Sequence, residues 1–407
     1  MARHFPNSFF ITNRKKLLNE IGGGSFVILT GHGLMQRAND CSYPFEQEPN
    51  FWYLCGVTHP DWWLLIDGIQ NRTWLVHPDV DDIRNIFDGS LDQKEALKIS
   101  GADAVIDRTE ARRLIGTLRQ KHSVAYTLTA QAELSRYGFY ANPALKELHD
   151  ELRAFRIQDC RKELNRLRAI KQQLEIEAIQ AAIDITAKGF AAVRAAAPKL
   201  HHEYELEAIF GYEFRRAGSS GHAYDPIVAA DQNACTLHYV DNSSSYTKSS
   251  WLLADVGARY EQYCADVTRT FPVGKPTKRV VALYEAVLRV HDKAIALCTP
   301  GQSVREYHKL TERAMAEELV VLKLIKNVDD EEGLRTYFPH AISHGLGIDV
   351  HDSLGSPIQF AAGMVLTVEP GLYVENEKIG IRIEDDILIT ESGPKNLSAK
   401  IPTRIDN

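Results

Sequence analysis

The chain has 407 residues, of which 44% are hydrophobic and 25% are charged, and its formal net charge is −7. These proportions are ordinary for a globular protein of two or three domains, and they exclude a largely disordered chain. The negative balance argues against nucleic-acid binding, which needs a basic face to neutralise phosphates.

The cysteines and the apolar runs indicate the cellular compartment in which the protein is expected. Six cysteines are scattered along the chain without any C-x-x-C pair, a pattern typical of reduced thiols in a reducing compartment. No apolar run approaches the roughly 20 residues of a membrane span, and the first residues lack the apolar stretch of a signal peptide. We therefore expect a cytoplasmic protein without a membrane partner.

The first part of the chain alternates helix and strand patterns. A helix is predicted over residues 9–22, and the glycines that follow it are a natural stop signal. Apolar runs bounded by turn residues predict strands, and a second helical stretch comes later. The predicted strands are 25–30, 62–67 and 73–77, and the second helix is 108–122. This alternation predicts an α/β N-terminal domain.

The middle of the chain is helical in composition. Residues 145–194 are charged, rich in alanine and nearly free of glycine and proline, which favours helix. The segment is too long for one ordinary helix, so we expect a break in it. We place the domain boundary near residue 160, giving domains 1–160 and 161–407.

The C-terminal part alternates again between apolar strand patterns and helical periods. Helices are predicted at 203–217, 278–297 and 304–324. Strands are predicted at 250–256, 260–271, 364–368 and 379–390.

Two aspartates mark the first candidate site. Asp255 and Asp266 lie eleven positions apart in WLLADVGARYEQYCADVTRTF. A hairpin that turned at residues 260–261 would place them opposite each other, about 5 Å apart. Two buried carboxylates at that distance repel each other, and a cation between them removes the repulsion. Taken alone, either residue could instead face solvent.

Three histidines form the second candidate site. They are spaced by glycines in FPHAISHGLGIDVHD. Histidine is the commonest metal ligand and the usual general acid or base near neutral pH. A polar surface loop is the alternative for this segment. The three are His340, His344 and His351.

Two glutamates complete the set. Glu369 ends an apolar strand and precedes Pro370, and Glu384 lies within an apolar alternation. Each alone is more often solvent-facing. Together with the two aspartates and a histidine they offer oxygen donors with one imidazole. Such a set suits Mn²⁺, Co²⁺ or Zn²⁺ better than a cysteine-based zinc site does, and four carboxylates can bridge two metal ions.

The phrases ADVTRTFP, SHGLGIDVHD, VLTVEPGLY and GIRIEDD, in this order, resemble the pita-bread metallopeptidases, which include methionine aminopeptidase, prolidase and aminopeptidase P. The segment YPFEQEPNFWYLCGV at residues 43–57 resembles bacterial aminopeptidase P, so the resemblance covers nearly the whole chain. It implies an α/β N-terminal domain followed by an α+β pita-bread domain with a curved antiparallel sheet. One departure concerns a tryptophan common in that family, which is replaced here by Phe87.

The resemblance also implies roles for individual residues. Asp266 and Glu384 would bridge two metal ions, most simply Mn²⁺, with Co²⁺ or Zn²⁺ as alternatives. Asp255 would bind one ion, and His344 and Glu369 the other. Glu369 would also transfer the proton. The substrate side would be formed by His238, His340 and His351, while Arg382 would pair with Asp255 and Tyr373 would lie near the site.

The activity implied is that of a metal-dependent Xaa-Pro aminopeptidase, which removes an N-terminal residue that precedes proline. Its partners would be peptides with proline in second position, and the resemblance implies a homo-oligomer, either a dimer or a tetramer. Two alternatives stay open at this point. A prolidase shares the five ligands but cuts only dipeptides, and a metal-free pita-bread binding protein would have no activity.

Overall fold

The computed structural model describes residues 5–129 and 142–405. The chain divides into two compact units, Met1–Leu167 and Arg168–Asn407. None of the helices in these described parts is both long and apolar enough to cross a membrane.

The first unit is a mixed sheet with helices. Its helices are α1 (Asn7–Ile21), α2 (Pro49–Cys55), α3 (Asp82–Asp88), α4 (Gln93–Ser100), α5 (Arg108–Leu118), α6 (Pro143–Glu151) and α7 (Arg161–Ala169), the last of which crosses the unit boundary. Its strands are β1 (Phe26–Thr30), β2 (Gln36–Ala38), β3 (Cys41–Ser42), β4 (Trp63–Asp67), β5 (Arg72–Val76), β6 (Ala104–Ile106), β7 (Val124–Thr127) and β8 (Arg156–Asp159).

Six of these strands form one sheet in the order β6-β5-β4-β1-β7-β8. Strands β1, β4 and β5 pair antiparallel, whereas β5–β6, β1–β7 and β7–β8 pair parallel. All five residues of β1 and of β4 are buried, which explains their continuous apolar sequence, since strands covered on both faces have no polar side.

Strand β8 corrects the prediction for the middle segment. Residues 145–194 are not helical with one break, because β8 interrupts them between α6 and α7, and a second break separates α7 from the next helix. The residues of β8 are only half-buried or exposed. Its parallel pairing with β7 therefore decides the local structure against the helical composition of the segment.

The second unit carries the remaining elements. Its helices are α8 (Gln173–Ala196), α9 (Glu203–Arg216), α10 (Lys278–Leu297), α11 (Val304–Val321) and α12 (Glu331–Tyr337). Its strands are β9 (Gly221–His222), β10 (Ile227–Ala230), β11 (Trp251–Asp255), β12 (Ala258–Tyr260), β13 (Tyr263–Cys264), β14 (Thr268–Pro272), β15 (Val365–Val368), β16 (Gly371–Val374), β17 (Ile379–Arg382), β18 (Asp385–Thr390) and β19 (Gly393–Asn396). The strand pairs found in this described part are antiparallel.

Two apolar clusters support these strands. Helices α10 and α11 pack with residues of β15 to β18, and α8 and α9 pack with residues of β10 to β14. The helices pack against the apolar residues of these strands, and polar side chains lie at the ends of β11, β15 and β17.

The hairpin from β11 to β14 has a different register from the predicted one. Glu261 and Gln262 occupy the turn with φ of 48° and 72°, and left-handed residues at both positions are typical of a tight hairpin turn. Asp255 therefore faces Thr268 and not Asp266. The shift is two residues, and side chains alternate with a period of two, so both aspartates still lie on the same face of the hairpin.

The predicted strand over residues 379–390 is also divided. Strand β17 pairs with β16, whereas β18 pairs with β15 and β19. Glu384 lies in the break between them, where its backbone N–H donates to the carbonyl of Thr268 at 3.1 Å. The chain changes sheets at this residue.

Candidate active site

Nine predicted residues line one cleft of about 630 Å³ in the second unit. They come from separated parts of the sequence: the loop after β10, the end of β11, the approach to β14, the loop after α12, the end of β15, and the β17–β18 region. The nine are Asp255, Asp266, His238, His340, His344, His351, Glu369, Arg382 and Glu384.

The predicted metal ligands lie close together. Donor atoms of Asp266, His344 and Glu384 all lie within 4.8 Å of one another. The Nε2 atom of His344 is 3.4 Å from Glu369 Oε1 and 3.5 Å from Asp266 Oδ2. Asp255 joins this group through Tyr224, whose hydroxyl lies 2.5 Å from Asp255 Oδ1 and 2.6 Å from Asp266 Oδ1.

The carboxylates repel one another without a cation. Burial and the neighbouring carboxylates raise the pKa of Glu384 well above its usual range, and burial also raises that of Asp266. Burial raises the pKa of Glu369 to about 7. Burial alone would lower the pKa of His344, but Asp266 and Glu369 outweigh it and raise that pKa to about 9.

The shifts of the carboxyl groups have two causes, burial and the negative charge of neighbouring carboxylates. His344 and Arg382 offset these only in part, so ionisation of the acids is costly. Divalent cations remove that cost, and hard oxygen donors with one imidazole suit Mn²⁺, Co²⁺ or Zn²⁺. The residues present therefore fit a metal centre.

Neighbouring side chains fix the orientation of each carboxylate, as partners of metal ligands usually do. The Thr268 hydroxyl donates to Glu384 Oε2 at 2.6 Å, and the Thr367 hydroxyl donates to Glu369 Oε1 at 3.2 Å. Arg382 Nη2 donates to Asp255 Oδ2 at 2.5 Å, which is the pairing expected from the sequence.

Tyr224 and the two threonines were not identified from the sequence. A lone tyrosine or threonine carries no pattern that distinguishes it from other polar residues. The contacts of Tyr224 and Thr268 depend on the register of the hairpin and on the break at Glu384, and neither of these was predicted correctly.

The histidines separate into two environments. His344 lies between carboxylates, whereas burial and the nearby positive charges of Arg382 and His344 lower the pKa of His340 and of His351, respectively, to about 4. Both are therefore neutral imidazoles near neutral pH. The His351 ring lies 4.2 Å from the His344 ring.

Tyr373 connects the substrate-side histidines to the arginine. Its hydroxyl accepts from Arg382 Nη1 at 2.8 Å and lies 2.9 Å from His340 Nε2. Burial raises the pKa of Tyr373 to about 12, so the phenol keeps its proton. His238 lies on an exposed part of the loop after β10 and lines the same cleft.

Comparison with known proteins identifies the class. Residues 177–391 match the sequence profile of Metallopeptidase family M24, and residues 10–126 match Aminopeptidase P, N-terminal domain. The chain therefore belongs to metallopeptidase family M24, in its aminopeptidase P branch.

Individual relatives agree over the whole length. The chain is 33% identical to Xaa-Pro aminopeptidase of Escherichia coli over 96% of this chain and 94% of that one. It is 31% identical to Xaa-Pro aminopeptidase of Haemophilus influenzae, over 98% and 96%. The solved structure of E. coli aminopeptidase P with the inhibitor Pro-Leu superposes with a TM-score of 0.86 at 32% identity, covering 99% of this chain and 97% of that one.

These matches confirm the predicted fold, an α/β N-terminal domain followed by a pita-bread catalytic domain, and the predicted enzyme class. They favour an Xaa-Pro aminopeptidase over a prolidase. A Zn-substituted E. coli aminopeptidase P is also among the similar structures, at 32% identity and a TM-score of 0.85.

Proposed function

We propose that this enzyme hydrolyses the bond between an N-terminal residue and a penultimate proline in peptides of three or more residues. The observation that carries the proposal is the convergence of the nine predicted residues, four acids, four histidines and Arg382, on a single cleft. The E. coli relative was solved with Pro-Leu as inhibitor. A dipeptide that begins with proline has the form of the product left by cleavage of an Xaa-Pro-Leu peptide, which supports extended substrates.

Two divalent ions, most simply Mn²⁺, would be held by five residues. Asp266 and Glu384 would bridge them, Asp255 would bind one, and His344 and Glu369 would bind the other. When bound, such ions supply Lewis-acid activation of the scissile carbonyl and of the attacking water.

Glu369 is the proposed proton carrier. Its carboxylate lies at the end of β15, where the Thr367 hydroxyl donates to Oε1 and leaves Oε2 toward His340, 3.8 Å from the Nδ1 atom. As a general base it takes a proton from the attacking water, and as a general acid it returns the proton to the proline nitrogen when the bond breaks. Burial favours the protonated form of this carboxyl, so both of its states are accessible.

The neutral histidines are the proposed contacts to the reacting peptide. His351 would donate to the oxygen that becomes negatively charged in the transition state. His340 and His238 would contact the proline side. Asp255 would receive the free N-terminal ammonium group, which restricts cleavage to the first peptide bond.

His351 and His344 are expected to respond differently to substitution. His351→Ala should lower kcat by about 10²-fold, the usual cost of one donor to the transition-state oxyanion, and should keep its metal. His344→Ala should lose metal. Metal analysis by mass spectrometry beside steady-state kinetics checks both variants. Equal metal loss in the two would contradict the division of roles.

Substrate length tests the activity itself. Under one Mn²⁺ condition, kcat/KM is measured for Ala-Pro-Ala, Ala-Pro and acetyl-Ala-Pro-Ala. We expect cleavage of Ala-Pro-Ala, weaker cleavage of Ala-Pro because contacts beyond proline are lost, and none of the acetylated peptide, which has no free amine. Cleavage of Ala-Pro alone would establish a prolidase instead.

A further inference from the structure

A second buried carboxylate lies outside the metal centre. Glu203 is the first residue of α9 and is 0% exposed. A fully buried carboxylate is costly unless hydrogen bonds satisfy its oxygens. Here each oxygen accepts two, a number that matches the lone pairs of a carboxylate.

The four donors to Glu203 come from one stretch of chain, residues 230–244. The Oε1 atom accepts from the backbone N–H of Ala230 at 2.7 Å and from Asn233 Nδ2 at 2.8 Å. The Oε2 atom accepts from the Tyr239 hydroxyl and from the backbone N–H of Ser244, both at 2.8 Å. Glu203 thus fastens the 230–244 segment at its start, its middle and its end.

This segment is the wall of the cleft that carries His238. Leu237, His238 and Val240 all line the cleft, and Val240 is 48% exposed although it is apolar. Tyr239 lies between them in sequence and points the other way, toward Glu203 and the small apolar cluster that includes Ile227 and Leu253. Tyr239 therefore faces Glu203, whereas its two neighbours in sequence, His238 and Val240, face the cleft.

Asn242 holds the segment beyond His238. Its Oδ1 accepts from the backbone N–H of Val228 at 2.8 Å, and its Nδ2 donates to Glu207 Oε2 and to the carbonyl of Pro226, both at 2.9 Å. Since these bonds do not involve Glu203, the Tyr239 hydroxyl can be removed without releasing the whole segment.

We propose that Glu203 is a positioning residue for substrate binding, acting through the Tyr239 hydroxyl to hold His238 in the cleft. The proposal rests on the proposed contact between His238 and the proline side of the substrate. Glu203 itself touches neither substrate nor metal.

Tyr239→Phe is the main test, because it removes the hydroxyl that donates to Glu203 and keeps the ring in its apolar contacts. The same hydroxyl also accepts a longer hydrogen bond from the backbone N–H of Ser243 at 3.3 Å. With Ala-Pro-Ala as substrate we expect KM to rise about fivefold, equivalent to about 1 kcal/mol for one hydrogen bond, while kcat stays within about twofold. Glu203→Gln should raise KM at least as much, since its amide presents N–H groups to N–H and O–H donors.

Tyr246→Phe is the matched control. It also removes a buried tyrosine hydroxyl, which donates to the carbonyl of Ala197 at 3.0 Å, but Tyr246 does not line the cleft. We expect it to lower the melting temperature as much as Tyr239→Phe does and to leave KM unchanged. Equal KM values for the two variants would overturn the proposal, because the rise in KM would then follow from a general loss of stability and not from the contact with Glu203.

A double substitution separates this proposal from the function of His238. In a His238→Ala background, Tyr239→Phe should add nothing further to KM, since coupled residues are not additive. If Tyr239→Phe raises KM as much in the His238→Ala variant as in the parent, Tyr239 does not act through His238 and the proposal is wrong. If His238→Ala alone leaves KM unchanged, the proposed substrate contact fails, which is a different result.

Discussion

Glu384, in the break before β18, and Asp385, the first residue of β18, have opposite surroundings. Glu384 and Asp385 are both fully buried. Glu384 faces the other carboxylates of the cleft, and burial and their charges raise its pKa well above the usual range. Asp385 points to the other side, where Arg269 and His291 outweigh the effect of burial and lower its pKa.

The negative charge of Asp385 has a positive partner within the protein. Its Oδ1 accepts from Arg269 Nη2 at 2.6 Å and from the Ser398 hydroxyl at 2.5 Å, and its Oδ2 lies 3.2 Å from His291 Nε2. The different surroundings of Glu384 and Asp385 show that burial of a charged side chain does not by itself identify a metal ligand. Asp385 has its counter-charge in Arg269, whereas Glu384 is left beside other acids and needs a cation from outside.

Replacing Glu384 by glutamine tests the function of the acid that faces the cleft. We expect Glu384→Gln to lose activity by more than about 10²-fold, since even residues that only orient a metal ligand cost 10–100-fold, and to lose at least one metal ion. The metal-free variant should be as stable as the metal-free parent or more stable, because the folded state disfavours ionisation of Glu384.

Asp266→Ala should likewise lose metal; an Asp266→Ala protein that still holds two ions would falsify the ligand assignment.

Asp385→Asn is the matched change on the other side. Removing one partner of a buried ion pair leaves Arg269 uncompensated, and we expect a loss of about 3 kcal/mol in the free energy of unfolding. The pKa of Asp385 is lowered in the fold, so its carboxylate stabilises the protein above the unfolded-state pKa of about 3.9 and this contribution is lost as the pH falls.

Denaturant unfolding across this acid range measures the effect of Asp385→Asn. The stability of the variant should depend less on acid pH than that of the parent. The folded fraction should bind metal in the parental ratio. Metal loss in the folded variant would show that the two acids are not separate in function.

The smallest expected effect concerns protons released on metal binding. The pKa of His344 is about 9 in the metal-free site, so its imidazole is protonated at neutral pH and must lose that proton to bind a metal. Metal affinity should therefore rise with pH toward about 9, by up to about tenfold per pH unit for each displaced proton. Calorimetry in buffers of different ionisation enthalpy should detect the release, and an identical binding heat in those buffers would contradict it.

Much of the fold followed from local sequence. Helix α10 was predicted with its observed bounds, and the buried strands β1, β4 and β11 followed from their apolar runs. These elements are dominated by burial, which leaves a clear periodic pattern. Strand β8 was missed because its structure depends on pairing with β7, a partner about thirty residues earlier.

The structure brings the predicted site residues together in one cleft, but their relative geometry was not predicted. The nine cleft residues came from the motifs, whereas the diagonal placement of Asp255 and Asp266 depended on the backbone conformation of Glu261 and Gln262. Gly257 is a further example, since a Cβ there would lie 1.7 Å from the carbonyl oxygen of Ala265. Contacts of this kind depend on the exact backbone conformation of the turn between the strands, which the pattern of apolar residues does not specify.

The contacts made by the segment after β19 have a consequence for biosynthesis. The carbonyl of Ile401 accepts from Arg269 Nε at 3.2 Å and from Nη2 at 2.7 Å, and the Tyr284 hydroxyl donates to the carbonyl of Thr403. The wall behind Glu384 is therefore incomplete until these residues have emerged from the ribosome. The sheet of the first unit, made from residues 26–159, can form much earlier, because domains generally fold in order of synthesis. A nascent chain would thus complete the surroundings of Glu384 only after residue 403 has left the ribosome.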